Sequence, residues 1–208
     1  RPRSNMEPIV AVVLSYLSGS IPFAAIAGKL RGVDLRKHGS GNLGATNVFR
    51  VLGWKIGVLV FLADALKGAV PVYLLPARIV SAHDPIVWGI ACGIAAIAGH
   101  VRPIFLRLHK GGKGVATAAG VFFALAPMPM AVTFAIFVVV VLATGYVSLG
   151  SMLSAIALPT ILLVTLGPRS PLFIVSTVIA LFVFWTHRSN IGRLRRGEEH
   201  RFGKRGNA

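Results

Sequence analysis

The chain has 208 residues, 55% of them hydrophobic and 13% charged, with a mean hydropathy of +0.75 and a net charge of +16. A soluble domain carries about 25% charged residues, so the composition excludes an ordinary soluble globule. A nucleic-acid binder gathers positive charge on one soluble face, whereas an integral membrane protein places it in cytoplasmic loops.

The chain opens RPRSNM, which makes Met6 a candidate native start and residues 1–7 a short extension. Seven apolar segments follow, at residues 8–30, 54–75, 85–100, 114–126, 130–147, 151–167 and 171–187. A spanning helix needs roughly 20 mostly apolar residues. Pro22 is expected to kink the first segment, and Pro127 and Pro129 to end the fourth. The third and fourth are short, and their ends are expected within the protein rather than in lipid. Strict alternation of polar and apolar residues is absent, which argues against a β-barrel. The lone Cys92 allows no intramolecular disulfide framework and reads as a small packing residue.

The fold class is therefore an all-α integral membrane protein with seven transmembrane helices. The membrane domain covers residues 8–187, with loops at 31–53 and 101–113, and residues 188–208 form a basic tail. Seven spans put the termini on opposite sides. Of the 22 Lys and Arg residues, 17 then fall with the 29–55 region, the 101–113 loop and the tail, 4 fall opposite, and Lys67 lies in a span. This asymmetry puts the carboxy terminus and the loops in the cytoplasm and the amino terminus outside. It also disfavours nucleic acid as a partner.

Three polar clusters interrupt the apolar pattern. The first is KHGSGNLGATNVFRVLG at residues 37–53. Gly39, Gly41 and Gly44 let the backbone turn tightly, and Ser40, Asn42, Thr46 and Asn47 supply uncharged donors. Arg50 lies one helical turn beyond Thr46 and Asn47. Donors at a helix start with an arginine on the same face suit an oxyanion such as phosphate. A nucleotide-binding P-loop is rejected, because Ala45 stands where its lysine belongs and a membrane helix precedes it. A flexible basic loop touching anionic lipid heads is the bland alternative.

The second cluster is GHVRPIFLRLHKGGKGVAT at residues 99–117. Lys110 and Lys113 flank Gly111 and Gly112, a turn whose N–H groups can wrap an anion. His100 ends a span and reads as a helix-end hydrogen bonder or a catalyst. The third is HRSNIGRLRRGEE at residues 187–199, where His187, Asn190 and Arg193 recur at intervals of three and share a helix face. Its remaining arginines suit a juxtamembrane lipid anchor. Within the second span, Asp64 and Lys67 stand three apart and are expected to pair or to support a loop group.

Acid–base groups are sparse. The six carboxylates form no catalytic pair, and none of the six histidines has Asp five residues on. No metal-ligand spacing occurs, so neither a metal nor another cofactor is expected.

Taken together, GSGNLGATNVFRVLG, DALKG around Asp64 and Lys67, GH followed by KGGKGVAT, YVSLGS and HRSNIGRLRRGEE resemble the motifs of the bacterial membrane glycerol-3-phosphate acyltransferases that use acyl phosphate, the PlsY family. The resemblance runs from about residue 8 to 199. It implies transfer of a fatty acyl group from acyl phosphate to the sn-1 hydroxyl of glycerol 3-phosphate. The products are 1-acyl-glycerol 3-phosphate (lysophosphatidic acid) and phosphate, in the first step of phospholipid synthesis at the bacterial inner membrane. It further implies that Ser40, Arg50, His187 and Asn190 are catalytic, and that Gly41, Asn42, Gly44, Thr46, Asn47, Lys110, Gly111, Gly112, Lys113 and Arg193 bind substrate. Asp64, Lys67 and His100 would support them, with membrane lipids as the surroundings and no obligate protein partner. An organic-phosphate transporter, an anionic-lipid scaffold, and an acyltransferase using acyl-CoA or acyl carrier protein are the competing readings.

Overall fold

The computed structural model describes residues 7–78 and 84–202, and all regular structure among them is helical. Met6 with most of the amino-terminal extension, and Lys204 and Arg205 of the tail, lie outside the described residues. The chain divides into two compact units, Arg1–Ala126 and Pro127–Ala208.

The first unit holds α1 (Pro8–Ser20), α2 (Phe23–Leu30), α3 (Ala45–Leu52), α4 (Trp54–Leu74), α5 (Pro85–Val101) and α6 (Val115–Leu125). Pro22 breaks the first apolar segment as expected, because it cannot supply the N–H that a continuous helix needs there. Helix pairs in this unit meet through small residues, which let backbones approach closely. A Cβ on Gly99 of α5 would run into the Tyr16 carbonyl of α1, and one on Gly19 of α1 into the backbone of Ala96. Helices α4 and α6 do the same: Gly68 abuts Thr117, and Gly120 abuts Ala65. The short α3 is held by a core of Ala24, Leu35, Leu43, Ala45, Val48 and Val60.

The second unit holds α7 (Pro127–Thr144), α8 (Val147–Leu166), α9 (Pro171–Thr186) and α10 (Arg188–Arg195). The α7–α8 turn passes through Gly145, and Thr144 Oγ1 accepts the Tyr146 N–H at 3.1 Å. The chain after α10 returns to this turn: the Phe202 N–H donates to the Gly145 carbonyl at 2.6 Å, and Arg201 Nε donates to the Tyr146 hydroxyl at 3.0 Å.

All seven apolar segments are helical. Among the described residues, five stretches are long and apolar enough to span a membrane: Pro8–Leu30, Trp54–Arg78, Pro85–Leu106, Pro127–Thr144 and Val147–Leu166. A sixth is reached if Pro171–Thr186 and Arg188–Arg195, bent by 57°, count as one. Val115–Leu125 has 11 residues, about 16 Å at 1.5 Å per residue, well short of a hydrocarbon layer of about 30 Å.

Candidate functional site

In the first cluster the glycines and Asn47 act together. Gly39 and Gly41 have φ of 61° and 68°, in the left-handed region that favours glycine. A side chain on Gly39 would also collide with Asn47 Oδ1. Asn47 is fully buried. Its Oδ1 accepts the Ser40 N–H at 2.8 Å, and its Nδ2 donates to the carbonyls of Leu35 at 3.1 Å and His38 at 3.0 Å. The side chain expected to greet a ligand is thus committed to the loop, and it fixes the backbone on which Ser40 and Gly41 stand.

Ser40 and Arg50 are exposed, while Gly41, Asn42, Gly44 and Thr46 are half-buried. Gly44 caps α3, and Thr46 lies in its first turn. The buried Oδ1 of Asn42 has no hydrogen-bond partner within the described protein.

The second cluster starts where α5 ends. Arg107 and Leu108 adopt left-handed backbone at φ of 52° and 59°. The Leu108 N–H reaches back to the Pro103 carbonyl at 3.0 Å, and the Gly111 N–H to the Val101 carbonyl at 3.0 Å. Arg102 and His109 serve this turn: Arg102 Nη1 donates to the Leu108 carbonyl at 3.4 Å, and His109 Nδ1 lies 2.9 Å from the Leu106 carbonyl. Lys110 is exposed and Lys113 half-buried, with Gly111 and Gly112 buried between them. A Cβ on Gly111 would strike the His100 carbonyl. One on Gly112 would strike the His100 ring and lie 3.0 Å from the Leu43 carbonyl. The first two clusters therefore meet, Gly112 against Leu43, and the Leu43 carbonyl is a contact that the motif pattern gave no reason to single out.

Beneath them Asp64 and Lys67 pair across one turn of α4, Oδ1 to Nζ 2.7 Å.

The third cluster centres on a residue to which sequence reasoning gave no role. Glu199 is buried. Its Oε1 accepts from Asn190 Nδ2 at 2.7 Å and from Ser148 Oγ at 2.9 Å. Its Oε2 accepts from Arg193 Nε at 2.7 Å. Burial by itself would raise the Glu199 carboxyl. The hydrogen bonds from Asn190, Arg193 and Ser148, with the Arg193 charge, outweigh it and hold the group below the ordinary glutamate value. His187 caps the start of α10 and is buried, with its Nδ1 2.8 Å from the Val183 carbonyl, a placement that suits an N–H on that nitrogen. Asn190 and Arg193 follow on the same helix, as the three-residue spacing predicts. The signal for the Glu199 pairing was present in two motifs, YVSLGS and HRSNIGRLRRGEE.

The chain is also similar to proteins already characterised. A family model described as Glycerol-3-phosphate acyltransferase matches residues 9–197. A glycerol-3-phosphate acyltransferase of Geobacter sulfurreducens is 46% identical over 95% of this chain and 98% of its own length. One of Aquifex aeolicus is 43% identical over 95% and 100%. Among solved structures, the glycerol 3-phosphate form of PlsY, described as an integral membrane glycerol 3-phosphate acyltransferase, superposes with a TM-score of 0.86 at 42% identity, covering 94% of this chain and 96% of that one. The lysophosphatidic acid form of PlsY gives 0.82 at 41% identity, covering 94% and 95%. With its first two cationic, glycine-rich clusters and most of the third inside the matched region, the chain belongs to the PlsY family of integral membrane glycerol-3-phosphate acyltransferases.

Proposed function

We propose that the protein transfers an acyl group from acyl phosphate to glycerol 3-phosphate in a bacterial cytoplasmic membrane. The observation that carries this is the donor inventory: exposed Arg50 and Lys110, half-buried Lys113 and glycine-held backbone in adjoining loops, in a chain whose relatives are named for acylating glycerol 3-phosphate. Both substrates carry phosphate, so two anion-holding regions are needed, and cations with backbone N–H groups provide them.

The sn-1 hydroxyl oxygen attacks the acyl carbonyl carbon. A new ester C–O bond forms, the bond to the phosphate oxygen breaks, and phosphate leaves. The donor phosphate takes the hydroxyl proton, so the reaction balances without an enzyme nucleophile. Catalysis then rests on positioning and on stabilising developing charge. Ser40, Arg50 and the Lys110–Lys113 turn hold glycerol 3-phosphate, and the backbone and side chains from Gly41 to Thr46 hold the acyl phosphate. In the second unit, Asn190 is assigned to the acceptor and His187 to its orientation, with Arg193 and Glu199 fixing α10. Asn47 acts through the loop it braces.

The site faces the cytoplasm, the bilayer is crossed seven times with the Val115–Leu125 helix as the short crossing, and the termini lie on opposite sides. The 17 to 4 division of Lys and Arg supports that orientation.

Arg50→Ala tests the site. A charge-assisted hydrogen bond contributes about 1.5–3 kcal/mol, which is roughly ten- to 150-fold in rate. Product formation should fall by that much or more with thermal unfolding unchanged; full turnover by the folded variant contradicts the assignment.

A further inference from the structure

Three ionisable side chains are buried together in the first unit: Asp64, Lys67 and His100 are 2%, 6% and 5% exposed. Lys67 Nζ, besides its contact with Asp64, donates to the Ile21 carbonyl at 2.8 Å in the break between α1 and α2. It also stands 5.5 Å from the centre of the Phe23 ring. Lys67 Nζ is thereby fixed by three contacts, Asp64 among them. His100, at the end of α5, brings Nδ1 to 3.6 Å from Asp64 Oδ1, and Nδ1 makes no hydrogen bond within the described protein. At that separation Nδ1 faces the carboxylate, and in a low-dielectric interior the Asp64 charge favours the ring orientation that turns an N–H toward it.

The opposite edge of the ring is where the lysine turn sits. A Cβ on Gly112 would land on His100 Nε2 and one on Gly111 on the His100 carbonyl. A small cavity is lined there by Asp64, Lys67, His100, Leu43, Gly111 and Gly112, among others. A ring free to swing would yield to an added methyl group, whereas a ring held by Asp64 does not. The two glycines thus suit a backbone cradle for an anion and, in addition, close approach to a fixed imidazole.

We propose that His100 is a positioning residue for glycerol 3-phosphate: the Lys67–Asp64 pair orients its ring, and the ring seats the 110–113 turn against the first loop at Leu43. This rests on the reading of that turn as a holder of glycerol 3-phosphate. His100 does not touch the reacting atoms; it acts through the turn.

The test is a coupled pair of variants in the purified full chain, with KM and kcat for glycerol 3-phosphate, KM for the acyl donor, and thermal unfolding all measured. His100→Ala should raise KM for glycerol 3-phosphate about tenfold, with a smaller change in kcat and none in the donor KM. Gly112→Ala should do the same. The double variant should be no worse than His100→Ala alone, because removing the ring makes room for the methyl group. A merely structural role would not produce that rescue. Multiplying losses in the double variant, or an unchanged KM in folded His100→Ala, would overturn the inference. Lys113→Ala separates the two levels. If it raises KM about tenfold while His100→Ala does not, only the positioning role falls; if it leaves KM unchanged, the reading of the turn falls and the inference with it. Where His100→Ala does not fold, His100→Asn carries the same comparison, alone and with Gly112→Ala. It keeps an N–H for Asp64 but not the ring edge.

Discussion

Asn47 carries three hydrogen bonds on one small side chain, joining Ser40, Leu35 and His38 across the first loop. A buried amide with all these partners is worth more as a brace than as a ligand donor, since freeing it leaves backbone groups unpaired at a cost of about 1–3 kcal/mol. Glu199 braces the second unit in the same way, with a charge. Its folded carboxyl titrates below its ordinary value, and an unfolded glutamate titrates near 4.3. The stabilisation from this depressed group is complete above that unfolded value and is lost as pH falls through the lower folded value. Unfolding temperature should therefore show no contribution from Glu199 titration between about pH 8 and pH 6. Glu199→Gln should lower stability by about 1.5–3 kcal/mol there and remove part of the acid-side loss. Equal stability of the two proteins at neutral pH would contradict the role. The glycine-rich loop that carries Ser40 was legible, because glycines and donors cluster there, whereas the exposure of Ser40 and Arg50 is set by the fold. The bracing role of Asn47 was not legible, since which way a buried amide points is decided by the fold. Glu199 went unassigned, since its partner Ser148 is 51 residues away.

At the scale of elements, helix contacts in the first unit depend on missing side chains. Gly120 costs α6 helix propensity, about 1 kcal/mol relative to alanine, yet a Cβ there would run into the Ala65 backbone of α4. Gly120→Val should therefore lower stability by about 1–3 kcal/mol through overpacking, seen as a lower unfolding temperature in detergent. Stabilisation would contradict the packing account. The seven apolar segments were legible from hydropathy alone, as was the break at Pro22. The fourth segment does end before Pro127, α6 stopping at Leu125, but α7 begins at Pro127 rather than at residue 130, because the first turn of a helix needs no proline N–H. Whether the 11-residue α6 crosses the bilayer is not set by length. It is checked with cysteine reporters placed at Lys37, Lys110, Arg195 and Arg169 in a Cys92→Ala background. A membrane-impermeant reagent should reach the first three from the cytoplasmic side and the last from the other. Arg169 labelling from the same side as Lys110 would contradict seven crossings.

For the whole molecule, charge and chemistry give one account. A chain with 22 Lys and Arg against six carboxylates is rich in anion-holding groups and poor in bases. That balance suits a substrate that brings its own activation and its own proton acceptor, which is what an acyl phosphate does. Composition made the membrane class legible, and the motifs made the family legible. The identity of the acyl donor is not written in either, because cations and N–H groups hold any phosphate. The decisive measurement is an assay of the purified protein with glycerol 3-phosphate and each of three donors: acyl phosphate, acyl-CoA and acyl carrier protein. Acylated product and released phosphate are followed together. The account predicts product with acyl phosphate alone, matched one for one by phosphate. Turnover with acyl-CoA and none with acyl phosphate would contradict it.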